Sequence, residues 1–126
     1  MLLGRTTLAS RVFDVLRAVR FLTELERAAD GVALRGYGTA ALWGYLAAAL
    51  EQRIHTVHVS GMLPSWQEVV DTRLYDGRAI TSAVAVPGVL QELDLPDLHR
   101  CFAGRELIVE APLRVPAGAG SLPLRP

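Results

Sequence analysis

The sequence has no lysine. All 13 basic side chains are arginine, and 13 acidic ones balance them. With no net charge, the chain has no electrostatic pull toward nucleic acid or an anionic membrane, so neither is expected as a partner. The lack of lysine beside abundant Ala, Gly, Leu and Arg points to GC-rich coding, which bears on the gene rather than the function. Cysteine is equally scarce. Cys101 stands alone, so no internal disulfide forms and no oxidising compartment is required. No run reaches the roughly 18 apolar residues a bilayer span needs. The opening Met1-Leu2-Leu3-Gly4-Arg5 is charged too early for a signal peptide. The cytoplasm is the expected compartment.

Metal-ligand patterns are also missing. There is no H-E-x-x-H and no paired cysteine motif. His55 and His58 lie three apart on an expected strand and so point to opposite faces. His99 is two residues from Asp97 and two from Cys101, a spacing that does not share a helix face. No metal and no cofactor are expected.

What is present suits one folded domain. Hydrophobic residues make up 51% of 126, enough for a small core. Apolar side chains at Val12, Val15, Leu16, Val19, Leu22 and Leu25 recur at three and four, predicting a helix over 10–29 that stops at Asp30-Gly31. Residues 31–36 read as a buried strand with Val32, Ala33 and Leu34 inside. Thr39 to Gln52 reads as a helix apolar almost all round. Ile54 to Ser60 is β-branched and reads as a strand, and Pro64 to Asp71 as a helix. Residues 77–92 are ambiguous, with a possible fourth strand at 79–86. A short helix at 96–102 precedes a strand at 105–111. This alternation predicts an α/β fold, a small three- to four-stranded, mainly parallel sheet with flanking helices. The domain is expected over residues 1–115, with 116–126 a flexible Pro/Gly-rich tail.

Gly36-Tyr37-Gly38-Thr39-Ala40 sits where a buried strand turns into a helix. Further on, Leu95-Pro96-Asp97-Leu98 and a short helix lead to Arg105-Glu106-Leu107-Ile108-Val109-Glu110-Ala111-Pro112-Leu113. Over roughly residues 10–115 this pattern resembles the second half of an α/β-hydrolase of the acetylxylan-esterase-like or dienelactone-hydrolase-like type. The resemblance implies that 36–40 is the nucleophile elbow, G-x-S-x-G in that fold. Here the serine position is Gly38 and the last glycine is Ala40. The acid position holds Arg114, and the family's histidine would fall beyond Pro126. Nucleophile, base and orienting acid are all missing from their places, so a serine mechanism is not expected.

The elbow residues Gly36, Tyr37, Gly38 and Thr39 are the candidate pocket, with Tyr37 as the aromatic expected to line it. A phosphate-binding reading of the two glycines is disfavoured, because position 41 is Ala41 and the next strand ends Val59-Ser60, with no acid to read a ribose. If there is catalysis, Asp97, His99 and Cys101 are the candidates, though Cys101 reads more simply as a small buried apolar residue. Glu106 and Glu110 share a strand face and read as surface charges. Trp43 and Trp66 read as core or interface anchors.

Two functional readings follow, with a third beside them. One is a hydrolase-derived half-domain, a pseudoenzyme that self-associates as a homodimer or larger homo-oligomer, since strand 31–36 has lost its inner neighbour and its edge needs cover. The contact is expected to be large and apolar, centred on the 39–52 or the 11–29 helix. The other is a small, weak hydrolase of carboxyl or phosphate esters with a non-standard site formed in the oligomer. A truncated gene product with no selected role is the third.

Overall fold

The computed structural model describes residues 6–25, 30–72 and 84–113. The elements run α1 (Thr7–Glu24), β1 (Val32–Tyr37), α2 (Thr39–Leu50), β2 (Ile54–Ser60), α3 (Trp66–Asp71), a 3₁₀ turn at Val89–Gln91, a 3₁₀ helix at Leu95–Phe102, and β3 (Glu106–Glu110). The three strands form one parallel sheet in the order β1-β2-β3. This is the small parallel α/β architecture that the alternation of patterns predicts. The expected fourth strand, 79–86, falls largely outside the described residues, as does the 116–126 tail.

α1 starts earlier than its apolar spacing suggests, because Thr6 caps it. The Thr6 hydroxyl accepts from the Ala9 N–H at 3.0 Å, satisfying one of the unpaired N–H groups of the first turn. Leu8, Val12 and Val19 form its buried stripe. Leu22 and Leu25, expected in that stripe, are 42% and 46% exposed. They sit where the helix ends, beyond Val19, the last buried residue of the stripe.

The strands step in one direction across the sheet. Right-handed crossovers then place both connections on the same face. The side chains agree. Leu34, Gly36, Val57, Val59 and Leu107 turn toward α2, and Val57 and Val59 are fully buried. Ala33, expected inside, belongs to the opposite set and is exposed, because successive strand residues alternate faces. A register shift after Val32↔Ile54 keeps Ile54 buried as well.

α2 is the centre of the core. Ala41, Leu42, Tyr45, Ala47 and Ala48 are fully buried. α1 packs on one side of α2, β1 and β2 beneath it, and the Leu95–Phe102 helix on its flank, where Tyr45 stacks on Phe102 at 5.0 Å and donates to the Leu95 carbonyl at 3.1 Å. Burial pushes the Tyr45 hydroxyl well above its ordinary pKa, so it stays a donor. α2, one of the two helices on which a contact with a second copy is expected to centre, is therefore largely buried within the single chain. The chain covers α2 itself, and the exposed residues of α2 are Ala40 in its first turn and Leu50, at 73%, at its end.

Candidate functional site

Close packing shapes the β1–α2 turn. Gly36 is buried, and a Cβ there would lie 2.6 Å from the Ala41 Cα. Two residues on, Gly38 has φ 61 and ψ −131, a conformation that favours glycine. Its N–H donates to the Ser60 carbonyl at 2.8 Å and its carbonyl accepts from Ala41 N–H at 3.1 Å, so the turn is tied to both β2 and α2. A Cβ on Gly38 would meet nothing within 4 Å. The backbone thus aims position 38 at open space and supplies no side chain to fill it.

Beside this turn lies a small cleft of about 130 Å³ lined by Thr39, Leu42, Gly61, Leu63 and Leu113 among others. Tyr37 departs from expectation. It pairs with Ser60 on the opposite sheet face, is 65% exposed, and does not line the cleft. The described lining of the cleft offers apolar walls and the Thr39 hydroxyl, with no base or acid among those residues.

The other candidates serve other ends. Asp97 accepts from the Asp94 N–H at 2.8 Å, closing a capping box at the start of the 3₁₀ helix. His99 is exposed and meets the Tyr45 ring edge-on, centroids 5.8 Å apart. Cys101, expected to be buried, is exposed, because Phe102 takes the inward position against Tyr45. The structure does not bring Asp97, His99 and Cys101 together as a catalytic group. Trp66 is a core anchor, its indole N–H donating to the Val84 carbonyl at 2.7 Å. Trp43 is half-buried, with the Arg11 guanidinium 5.7 Å from its ring centre.

The sheet face turned away from α2 carries what sequence reasoning missed. Register places Arg35, His58 and Ile108 in one row. Tyr37, Ser60 and Glu110 form the next, and Ala33, Thr56 and Glu106 the third. Within this grid His58 Nε2 lies 2.9 Å from Glu110 Oε2, and the Thr56 hydroxyl donates to Glu106 Oε2 at 3.4 Å. Glu106 and Glu110 are exposed, as surface charges are expected to be. A parallel sheet is ordinarily covered on both faces. Here, among the described residues, no element packs on this one. Ala33, Arg35, Tyr37, Glu106 and Glu110 are all exposed, and Ile108 is 36% exposed.

A histidine paired to a carboxylate is half of a general-base arrangement. Ser60 lies two residues from His58 on the same face, yet no hydrogen bond joins them, so His58 does not activate Ser60 here. Among the described residues no cluster of three or more His, Cys, Asp or Glu could hold a metal ion, and no helix is long and apolar enough to cross a membrane. No protein-family model matches the chain, and neither a curated protein nor a solved structure does.

Proposed function

We propose that this chain is an α/β-hydrolase-derived half-domain that has lost serine chemistry and works by self-association in the cytoplasm. The observation that carries the reading is the sheet, three parallel strands with α1, α2 and the Leu95–Phe102 helix packed together on one side. Its outer face and both edge strands are left without cover among the described residues. A bare parallel-sheet face is a surface that proteins ordinarily hide, and a second copy hides it symmetrically. The Gly38 turn supports descent from an elbow. It keeps a strained backbone and the close Gly36–Ala41 approach, and holds a glycine where the reaction needs a side chain. The lone, exposed Cys101 suits a reducing compartment.

Light scattering on the intact chain at micromolar concentration tests the association, with a mass above one 13.7 kDa chain expected. A fluorophosphonate probe tests the chemistry. No labelling is expected, and stoichiometric modification of Ser60, Ser65 or Thr39 would reverse the reading.

The His58–Glu110 pair favours a second reading, a weak hydrolase of carboxyl or phosphate esters whose site is completed in the oligomer. Turnover of activated esters that disappears in His58→Ala and falls in Glu110→Gln would establish it. Turnover unchanged in both variants, or none at all, would dismiss it.

A further inference from the structure

The outer face of the sheet is not evenly polar. Its one arginine, Arg35, is on β1, at one edge. Its two carboxylates, Glu106 and Glu110, are on β3, at the other edge. β2 between them carries Thr56, His58 and Ser60. Arg35 makes no ion pair or hydrogen bond among the described residues, and both glutamates are exposed. The face is therefore split into a positive edge and a negative edge, about 10 Å apart across two strand spacings.

A two-fold axis parallel to the strands, passing over β2, makes such a face complementary to itself. The rotation lays β1 of one copy over β3 of the other and keeps the rows level. Arg35 then stands over the partner's Ile108, with the partner's Glu106 and Glu110 one pleat to either side. Tyr37 stands over the partner's Glu110. The same contacts repeat on the other side of the axis. Two facing sheets lie about 10 Å apart, a gap that a pair of long side chains closes. An axis perpendicular to the strands would instead place Arg35 near its own copy and glutamates near glutamates, which is repulsive.

We propose that the open sheet face is a self-docking surface that binds a second copy of this chain, with Arg35 of each copy held between Glu106 and Glu110 of the other. The inference rests on the self-association reading and specifies its geometry. The face is small, three strands of five to seven residues, so the contact falls at or below the low end of stable interfaces, on the order of 1,000 Å² in total. The dimer is accordingly weak and salt-sensitive, since its charges sit at rims within reach of counterions.

The outward stripe of α1 is the competing surface. Phe13 and Phe21 are 57% and 62% exposed there, with Arg17 5.9 Å from the Phe13 ring. Arg11 is matched with Asp14 and Arg20 with Glu24 within the helix, which leaves Arg17 as its unpaired charge among the described residues and no free carboxylate on the same helix to receive Arg17 of a second copy.

Charge reversal tests the geometry on the full chain. Arg35→Glu is expected to weaken dimerisation at least about tenfold, and so is the pair Glu106→Arg with Glu110→Arg. Combining all three should restore it, because the edges have exchanged sign. Raised salt should weaken the wild-type dimer and the triple variant alike. Circular dichroism checks that each variant folds, and equimolar mixing of Arg35→Glu with the double variant, which should form a heterodimer, keeps the test valid if the triple variant does not. A dimer indifferent to these reversals, or one lost in Phe13→Ser or Phe21→Ser instead, overturns the face while self-association stands. A wild-type monomer at high micromolar concentration overturns both.

Discussion

A Cβ on Gly36 would stand 2.6 Å from the Ala41 Cα, so the end of β1 and the first turn of α2 touch backbone to backbone. Neither partner is the tip of a flexible side chain, and no rotamer change relieves the clash. Gly36→Ala should cost about 3 kcal/mol, the upper part of the range for overpacked cores. At position 38 the space is open but φ is 61, so Gly38→Ser should fold, losing about 1–2 kcal/mol to backbone strain. Thermal melts should rank the wild type above Gly38→Ser and that above Gly36→Ala. Gly38→Ser should also gain no more than about tenfold in ester hydrolysis, since no base among the described residues reaches the position.

Arg105 joins three elements by itself. Its guanidinium donates to the carbonyls of Ala48 at 2.7 Å, Ile54 at 3.0 Å, Glu51 at 3.2 Å and Cys101 at 2.6 Å, and lies 4.8 Å from the Phe102 ring centre. It thereby satisfies carbonyls at the end of α2 and ties them to β2 and the 3₁₀ helix. Arg105→Met should lower stability by about 2–3 kcal/mol in urea. Arg105→Lys should recover less than half of that, because an ammonium on a flexible stem cannot reproduce the planar fork. Full rescue by lysine would show that charge alone matters there.

Acid should loosen the fold in a defined window. The bidentate Arg53 holds the Glu51 carboxyl down at about 2, below its ordinary 4.5. Burial alone would raise Asp94, yet hydrogen bonds from the Ser65 hydroxyl and the N–H groups of Trp66, Leu95 and Gln67 outweigh it and hold the carboxyl below its usual range. A depressed carboxylate contributes stability that is complete above its unfolded pKa and lost as pH falls through the folded one. Melting temperature should therefore fall between about pH 5 and about pH 2. Glu51→Gln should flatten part of that slope while costing stability at neutral pH. An unchanged slope would mean that the Glu51–Arg53 pair does not persist in solution.

Much of this fold was legible in residue patterns. β2 runs from Ile54 to Ser60 as its β-branched residues predict, and α2 ends at Leu50, two residues short of the expected Gln52. Local spacing does not show which turn of a helix has a neighbour, so it puts Leu22 and Leu25 inside and passes over the capped first turn with Leu8. The sequence does not show that Cys101 faces outward, because the choice between it and Phe102 depends on Tyr45, more than 50 residues away. The candidate site was least legible. The tight glycine turn between β1 and α2 could be read from adjacent residues, but the His58–Glu110 pair arises from the register of two strands 52 residues apart. The shared parity of Glu106 and Glu110 was the one signal visible beforehand.

Sedimentation velocity on the intact chain, from low to high micromolar concentration and at two salt concentrations, tests self-association most directly. The account predicts a concentration-dependent shift toward twice the 13.7 kDa chain mass, reached at lower concentration in low salt. A folded species that keeps the mass of one chain at every concentration and both salts would contradict it.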